Sequence, residues 1–326
     1  MDRGKYNVTN RFRKYFYGKS GCPGALCYDF RFMISVTAKC LKYGLFVLLT
    51  AACAVIASAH AQPRSKPAAP PPQNVRNAAW WTDASRILGG LPMEAGSALG
   101  KLANLPPVQQ HRDAFTRSWP PFENARLKPA LKFGQEEIVP LAQSAGPVFY
   151  PFSGPDALYA LALFPNASTF VLAGLEPVGE IPDLGALPEA ELNASLADLR
   201  AAIASIQAFS FFRTREMRAQ FSKNQFAGVT PILLLFITRQ GYAVQNVEQV
   251  VMEPDASLCT TDVAGLQNLP ADRVPGVRIK FVKPGDARPR TLYYFSADLS
   301  NSGLTKVPQP LKWAATFAPR ARAAAA

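Results

Sequence analysis

Val148-Phe149-Tyr150-Pro151-Phe152-Ser153-Gly154-Pro155-Asp156, followed by Ala157 to Phe164 and then by Pro165-Asn166-Ala167-Ser168 and Thr169 to Leu175, is the stretch that sets the fold. Val148 to Phe152 has the aromatic and β-branched composition of a buried strand. Ser153-Gly154-Pro155-Asp156 breaks that run and supplies helix-start chemistry: a capping hydroxyl, a proline near the first turn and an early carboxylate. Ala157 to Phe164 makes about two helical turns, stopped by Pro165-Asn166. Thr169 to Leu175 is a second apolar strand, closed by Glu176-Pro177. Strand, short helix and strand in this length form a βαβ unit at 148–176, whose two strands lie parallel.

Downstream, Leu192, Leu196, Leu199, Ile203, Ile206 and Phe209 repeat at helical spacing and make one apolar face, long enough to cover a sheet. Thr230-Pro231 caps Ile232 to Ile237, a run apolar on all sides that Gly241 ends; it reads as a buried helix, with a central strand as the alternative. Val247 to Met252 reads as a strand, and Val277–Lys283 with Arg290–Ser296 as a β-hairpin around Pro284-Gly285-Asp286. Arg278, Lys280 and Lys283 are the basic groups of a half-solvated hairpin. Upstream, residues 76 to 145 form a helical lead-in. In it Thr82-Asp83 caps a helix ending at Gly89-Gly90, while His111–Trp119 and Ala125–Val139 are helical and separated by Pro120-Pro121 and Pro129. Trp80, Trp81 and Trp119 are large anchors expected to be buried between helices, with a sugar or aromatic ligand site as the alternative. The fold expected is α/β or α+β: the βαβ unit in a mixed sheet, the helical lead-in, and the C-terminal hairpin.

Charge and cysteine are concentrated at the front of the chain. Of the net +12, residues 1 to 61 carry +7, from nine Lys/Arg against Asp2 and Asp29, and +5 remains for everything later. That remainder is spread out, without basic runs interleaved with aromatics, so no nucleic-acid partner is expected. Four of the five cysteines, Cys22, Cys27, Cys40 and Cys53, precede residue 62, which leaves Cys259 without an internal partner.

The front of the chain also reads as an address. Lys39 and Lys42 precede an uncharged apolar run from Tyr43 to Ala57, and Ser58-Ala59-His60-Ala61 supplies the small residues that signal peptidase reads. Residues 33–61 are therefore expected to be a signal peptide starting at Met33, with 1–32 a mis-called extension and cleavage near Ala61 releasing a periplasmic or secreted protein. Two alternatives anchor the chain instead: the uncleaved segment 43–59, about fifteen apolar residues and marginal for a bilayer, or a lipid on Cys53 in the degraded lipobox Thr50-Ala51-Ala52-Cys53. Membrane contact is expected through this segment only. Residues 62–75 are a proline-rich linker, 76–300 an α/β domain, and 301–326 a disordered or frameshifted tail, since the apolar pattern fades after Leu299.

In a parallel βαβ unit, ligands usually bind beyond the carboxyl ends of the strands. Those ends make Ser153, Gly154, Asp156 and Glu176 the candidate ligand-binding residues, with Asp156 and Glu176 the candidate catalytic pair. Two carboxylates can divide acid and base roles or hold a hard cation. The structural alternative is that Asp156 caps its own helix and Glu176 bonds backbone N–H groups. No G-x-G-x-x-G, P-loop or CxxC is present, so no cofactor is expected. His111 is the single histidine after residue 61, which excludes H-E-x-x-H; no metal is expected, and His111 is read as a surface or packing residue.

Tyr150-Pro151-Phe152-Ser153-Gly154-Pro155-Asp156, Phe164-Pro165-Asn166-Ala167, Gly174-Leu175-Glu176-Pro177-Val178-Gly179, Phe211-Phe212-Arg213-Thr214 and Thr291-Leu292-Tyr293-Tyr294-Phe295-Ser296 together resemble a family of uncharacterised exported bacterial proteins. The resemblance covers roughly residues 80 to 300 and brings no catalytic residue with it. It implies a further α/β portion beyond Ser296, so this chain is expected to be a truncated or frameshifted member. The function expected is a non-catalytic envelope or periplasmic binding or structural module. The alternative is an exported hydrolase using Asp156 and Glu176, which requires the two carboxyl groups within about 5 to 9 Å of each other in a concave pocket.

Overall fold

The computed structural model describes residues 76–94, 96–140, 146–151, 154–209, 226–262, 265–266 and 268–317. The signal, lipid and linker expectations on residues 1–75, the Phe211–Thr214 motif, Ser153 and the last residues of the expected tail lie outside them.

The βαβ unit forms as its punctuation predicts. Strand β1 (Pro147–Tyr150) runs parallel to β2 (Thr169–Gly174), with Tyr150 opposite Leu172, and the helix between them spans Ala157–Leu163. The later strands are β3 (Ala243–Met252), β4 (Leu258–Thr261), β5 (Val274–Val282) and β6 (Arg290–Ser296). One six-stranded mixed sheet results, in the order β1-β2-β6-β5-β3-β4. β6 adds to β2 in parallel, while β5 pairs antiparallel with both β6 and β3. The fold is therefore α/β with a mixed sheet, and the hairpin is β5–β6.

In chain order the helices are α1 (Ala78–Leu88), α2 (Pro106–Phe122), α3 (Lys128–Phe133), α4 (Ala157–Leu163), α5 (Glu189–Phe209), α6 (Thr230–Arg239), α7 (Asn301–Lys306) and α8 (Gln309–Ala315). α6 is a helix and not a strand. It is buried at every position from Thr230 to Thr238 because α1, α4, α5 and β3 all pack against it, which is why its sequence shows no polar face. α5 buries Leu192, Leu196, Leu199, Ile203 and Ile206, the face its spacing announces. Trp81 and Trp119 are buried between helices as expected, with Trp80 half-buried beside Trp81.

Three local expectations are corrected. α1 begins earlier than Thr82-Asp83: Asn77 is its cap, its side chain accepting from the Trp80 N–H at 2.9 Å, while Thr82 bonds the Val244 carbonyl of β3. The prolines do not separate the lead-in helices. Pro120 and Pro121 lie inside α2, and the chain continues into α3 through a widened π-pitch turn, Glu123–Leu127. In ordinary α geometry the Pro129 ring meets the carbonyl four residues back; the wider turn moves that carbonyl aside. Finally, Thr230-Pro231 does not cap α6 through the threonine side chain, which donates instead to the Val178 carbonyl at 2.7 Å.

The structureless tail expected from residue 301 is corrected over 301–317. Ser300 caps α7, and α8 buries Trp313 against Tyr293 and Phe295 on the sheet face opposite the large core. The apolar pattern fades there because short helices covering a sheet need only a few anchors, too few to show a period.

Candidate functional site

β1, β2 and β6 point the same way, so their carboxyl ends lie along one edge of the sheet. The register places Tyr150, Leu172 and Tyr294 in one row across the three strands. This row belongs to the large core on the α1–α6 side, with Leu172 and Tyr294 buried and Tyr150 partly so. Beyond it the chain leaves β1 through a single 3-10 turn, Gly154–Asp156, and leaves β2 through Leu175 and Glu176.

Gly154 is fixed by space. A Cβ there would stand 2.5 Å from Val229 Cγ2 and 2.9 Å from the Tyr294 ring, closer than real contacts allow. Its role is packing the turn onto Tyr294, and Asp156 follows two residues later.

Glu176 is buried, 1% exposed. The Tyr294 hydroxyl lies 2.7 Å from the Glu176 carbonyl and 3.0 Å from Oε2, and can donate to either; among the described residues Oε1 has no hydrogen-bond partner. The next residues are clamped to the start of α6: Val229 N–H donates to the Pro177 carbonyl, Thr230 N–H to Val178, and the Gln249 side chain to Gly179. Gly179 (φ 69°) and Gly228 (φ 77°) allow this crossing, since a Cβ on either would run into the other segment's backbone.

The structural alternative for the two acids is corrected by these contacts. Asp156 forms no side-chain cap on α4, and Glu176 meets a tyrosine hydroxyl in place of backbone N–H groups. Burial, then the neighbouring Glu176, pushes the Asp156 carboxyl up to about 6. Burial, then Asp156 and Tyr159, pushes the Tyr150 phenol to about 12. Tyr159 is raised by burial and by Asp156, with Arg126 opposing. Asp156 and Glu176, read from the strand ends, lie on the two chain exits that meet Tyr294, one through Gly154 and the other through the glutamate itself. Ser153 lies outside the described residues. Tyr150, Tyr159 and Tyr294 complete the cluster and were not singled out from the sequence; the alternation of Arg290–Ser296 marks Tyr294 as inward but not what it touches.

His111 is wholly buried and not at the surface: Nε2 donates to the Leu88 carbonyl at 2.9 Å and Nδ1 faces Arg200 Nη1 at 3.4 Å. Burial foremost, with Arg200 and Arg239 adding and the backbone contacts opposing, lowers it to about 4. Cys259 is exposed on β4, at the far edge of the sheet. Arg278 of the hairpin is paired with Glu248 at 2.7 Å. Among the described residues no group of three or more His, Cys, Asp or Glu could hold a metal ion, and no helix is long and apolar enough to cross a membrane. A cleft of about 530 Å³ lies between the starts of α2 and α5, and one of about 240 Å³ lies between the ends of β5 and β6 and α7. Neither is lined by Asp156 or Glu176.

Compared with known proteins, the chain matches no family model, no curated protein and no solved structure.

Proposed function

We propose that this chain is an exported bacterial envelope or periplasmic protein acting as a non-catalytic binding or structural module. Export rests on the basic flank, apolar run and small-residue cleavage pattern of Lys39 to Ala61, and agrees with the resemblance to exported bacterial proteins. The observation that carries the non-catalytic reading is the state of the groups able to move protons. His111 is neutral, buried and committed to Leu88, and Glu176 is buried beneath Tyr294. A general base must reach the proton it takes, within hydrogen-bond distance of a bound substrate.

One observation favours the second reading, an exported hydrolase. Asp156 is partly exposed, without a cap to make, and holds its proton up to about 6, which is what a general acid requires. The experiment has two parts. Expressed in a bacterial host, the chain is expected in the envelope or medium, cut near Ala61; uncut protein in the cytoplasm would refute export. The purified protein is then assayed on glycoside, ester and peptide substrates. Turnover abolished by Asp156→Asn would replace the module with the enzyme.

A further inference from the structure

Three helices meet around one imidazole. His111 of α2 is wholly buried, and its ring lies against Phe115 one turn on, 4.8 Å between centroids. Nε2 is 2.9 Å from the carbonyl of Leu88, in the last turn of α1, where a helix leaves its carbonyls open. Nδ1 is 3.4 Å from Nη1 of Arg200 on α5, and the Leu196 carbonyl, one turn earlier on α5, also faces the ring. These partners leave one placement of the hydrogen. A carbonyl only accepts and a guanidinium only donates, so Nε2 carries the hydrogen and Nδ1 keeps its lone pair open. The ring is neutral for that geometric reason, beside the cost of burying its charge.

The charged side chains that act on the ring are cations, Arg200 from α5 and Arg239 from α6. Glu123, in the turn after α2, acts on Arg239, and Arg86 of α1 is engaged with the Pro92 carbonyl and Glu94. The two cations are held unequally. Arg239 donates to the Gly89 and Gly90 carbonyls and lies over Phe115 and Trp119. Arg200 is half-buried, and its contact with the ring is longer than that of Arg239 with Gly89.

We propose that His111 is a proton-operated catch for Arg200. Neutral, the imidazole accepts a guanidinium hydrogen at Nδ1 and ties α5 to α2 and to the end of α1. A proton from water arriving at Nδ1 puts a hydrogen where the lone pair was. That N–H turns to the Leu196 carbonyl, the bond to Leu88 becomes charge-assisted, and the like charge expels Arg200 toward solvent. Arg239 stays, because its carbonyl partners are untouched. Burial foremost, with the two arginines adding, holds the proton off until about pH 4, so the catch opens in acid. It goes beyond the module reading and stands whether or not the protein binds a ligand.

Solution NMR of the full chain with isotope-labelled histidine and arginine tests it, the signals being identified by His111→Gln and Arg200→Met. At pH 6.5 the His111 ring is expected to carry its hydrogen on Nε2 and none on Nδ1. Arg200→Met is expected to raise the His111 midpoint by about one pH unit, a tenfold gain in proton affinity. In the wild-type chain the Arg200 guanidinium hydrogens are expected to exchange about tenfold faster at pH 4 than at pH 6.5, corrected for intrinsic rates, while those of Arg239 keep their protection. In His111→Gln the Arg200 difference is expected to vanish. A hydrogen on Nδ1 at pH 6.5, joint loss of protection at both arginines, or unchanged exchange at Arg200 overturns the catch from the wild-type chain alone. So does a His111 midpoint unmoved by Arg200→Met, or a pH response of Arg200 that survives His111→Gln.

Discussion

Tyr294 of β6 holds Glu176 at the end of β2 from both directions, its hydroxyl 2.7 Å from the main-chain carbonyl and 3.0 Å from Oε2. The contact ties two parallel strands at their carboxyl ends, where the ladder stops. Tyr294→Phe keeps the ring and removes the hydroxyl, leaving a buried carboxylate with less support. The expected cost is about 1–3 kcal/mol in urea melts. In a Glu176→Ala background the same change is expected to cost less, since the hydroxyl's side-chain acceptor is already gone; equal costs in both backgrounds would mean that the hydroxyl does not act on the Glu176 side chain.

His111 predicts a pH dependence of the opposite sign to that of Asp156. Its folded-state value of about 4 lies below the unfolded value of about 6.5, because the buried imidazole resists protonation. Its stabilising contribution is present above 6.5 and is lost as pH falls toward 4, on the order of 3 kcal/mol in all. Asp156, raised to about 6, stabilises below the unfolded carboxyl range and loses that contribution as pH rises through 6. Melts from pH 7.5 to 4.5 are expected to show a steeper acid loss in Asp156→Asn and a shallower one in His111→Gln. Parallel curves for all three proteins would contradict both assignments.

Arg239, at the end of α6, closes the end of α1. Its Nε donates to the Gly89 carbonyl at 2.5 Å, and its guanidinium lies over Phe115 and Trp119, 4.9 and 5.1 Å from the ring centroids. Arg239→Met is expected to cost about 1–3 kcal/mol through the stranded carbonyl. Arg239→Lys is expected to recover less than half of it, because an ammonium cannot stack flat and bond sideways at once. Full recovery by lysine, in the same melts, would reduce Arg239 to a point charge.

Trp313 is the anchor of the second sheet face. It meets Tyr293, Phe295 and Phe317 edge-on at 4.9, 5.1 and 4.8 Å between ring centroids. Trp313→Ala is expected to cost about 3–5 kcal/mol and to raise binding of a hydrophobic dye as Phe295 and Tyr293 are uncovered. Unchanged stability would return residues 301–317 to the status of a tail.

The elements legible beforehand were those whose signals are local. Gly154, Pro155 and Pro165 bracket α4, β-branched and aromatic runs mark β1 and β2, and the spacing from Leu192 to Ile206 marks the buried face of α5. Each signal comes from backbone preference or from periodicity within a few residues, so it survives without knowledge of what lies across. β4 was not legible, because Leu258–Thr261 is four residues long on an edge and has little face to bury. The prolines were over-read as breaks: Pro120 and Pro121 are carried inside α2, and Pro129 is accommodated because the turn Glu123–Leu127 ahead of it widens.

By itself the sequence determined the βαβ unit, the all-round burial of the run that becomes α6 (though not helix over strand), the hairpin, and Asp156 and Glu176 as the acids at the strand ends. Only the tertiary structure decided that β6 lies beside β2, with Thr291 opposite Thr169, and that Tyr294 reaches a glutamate 118 residues away. It also decided that Asp156 caps nothing and that His111 is sealed beneath Leu88 and Arg200. The physical reason is that propensity and periodicity say which way a side chain points. Partners, desolvation and the resulting charge state depend on which distant segment arrives to cover it.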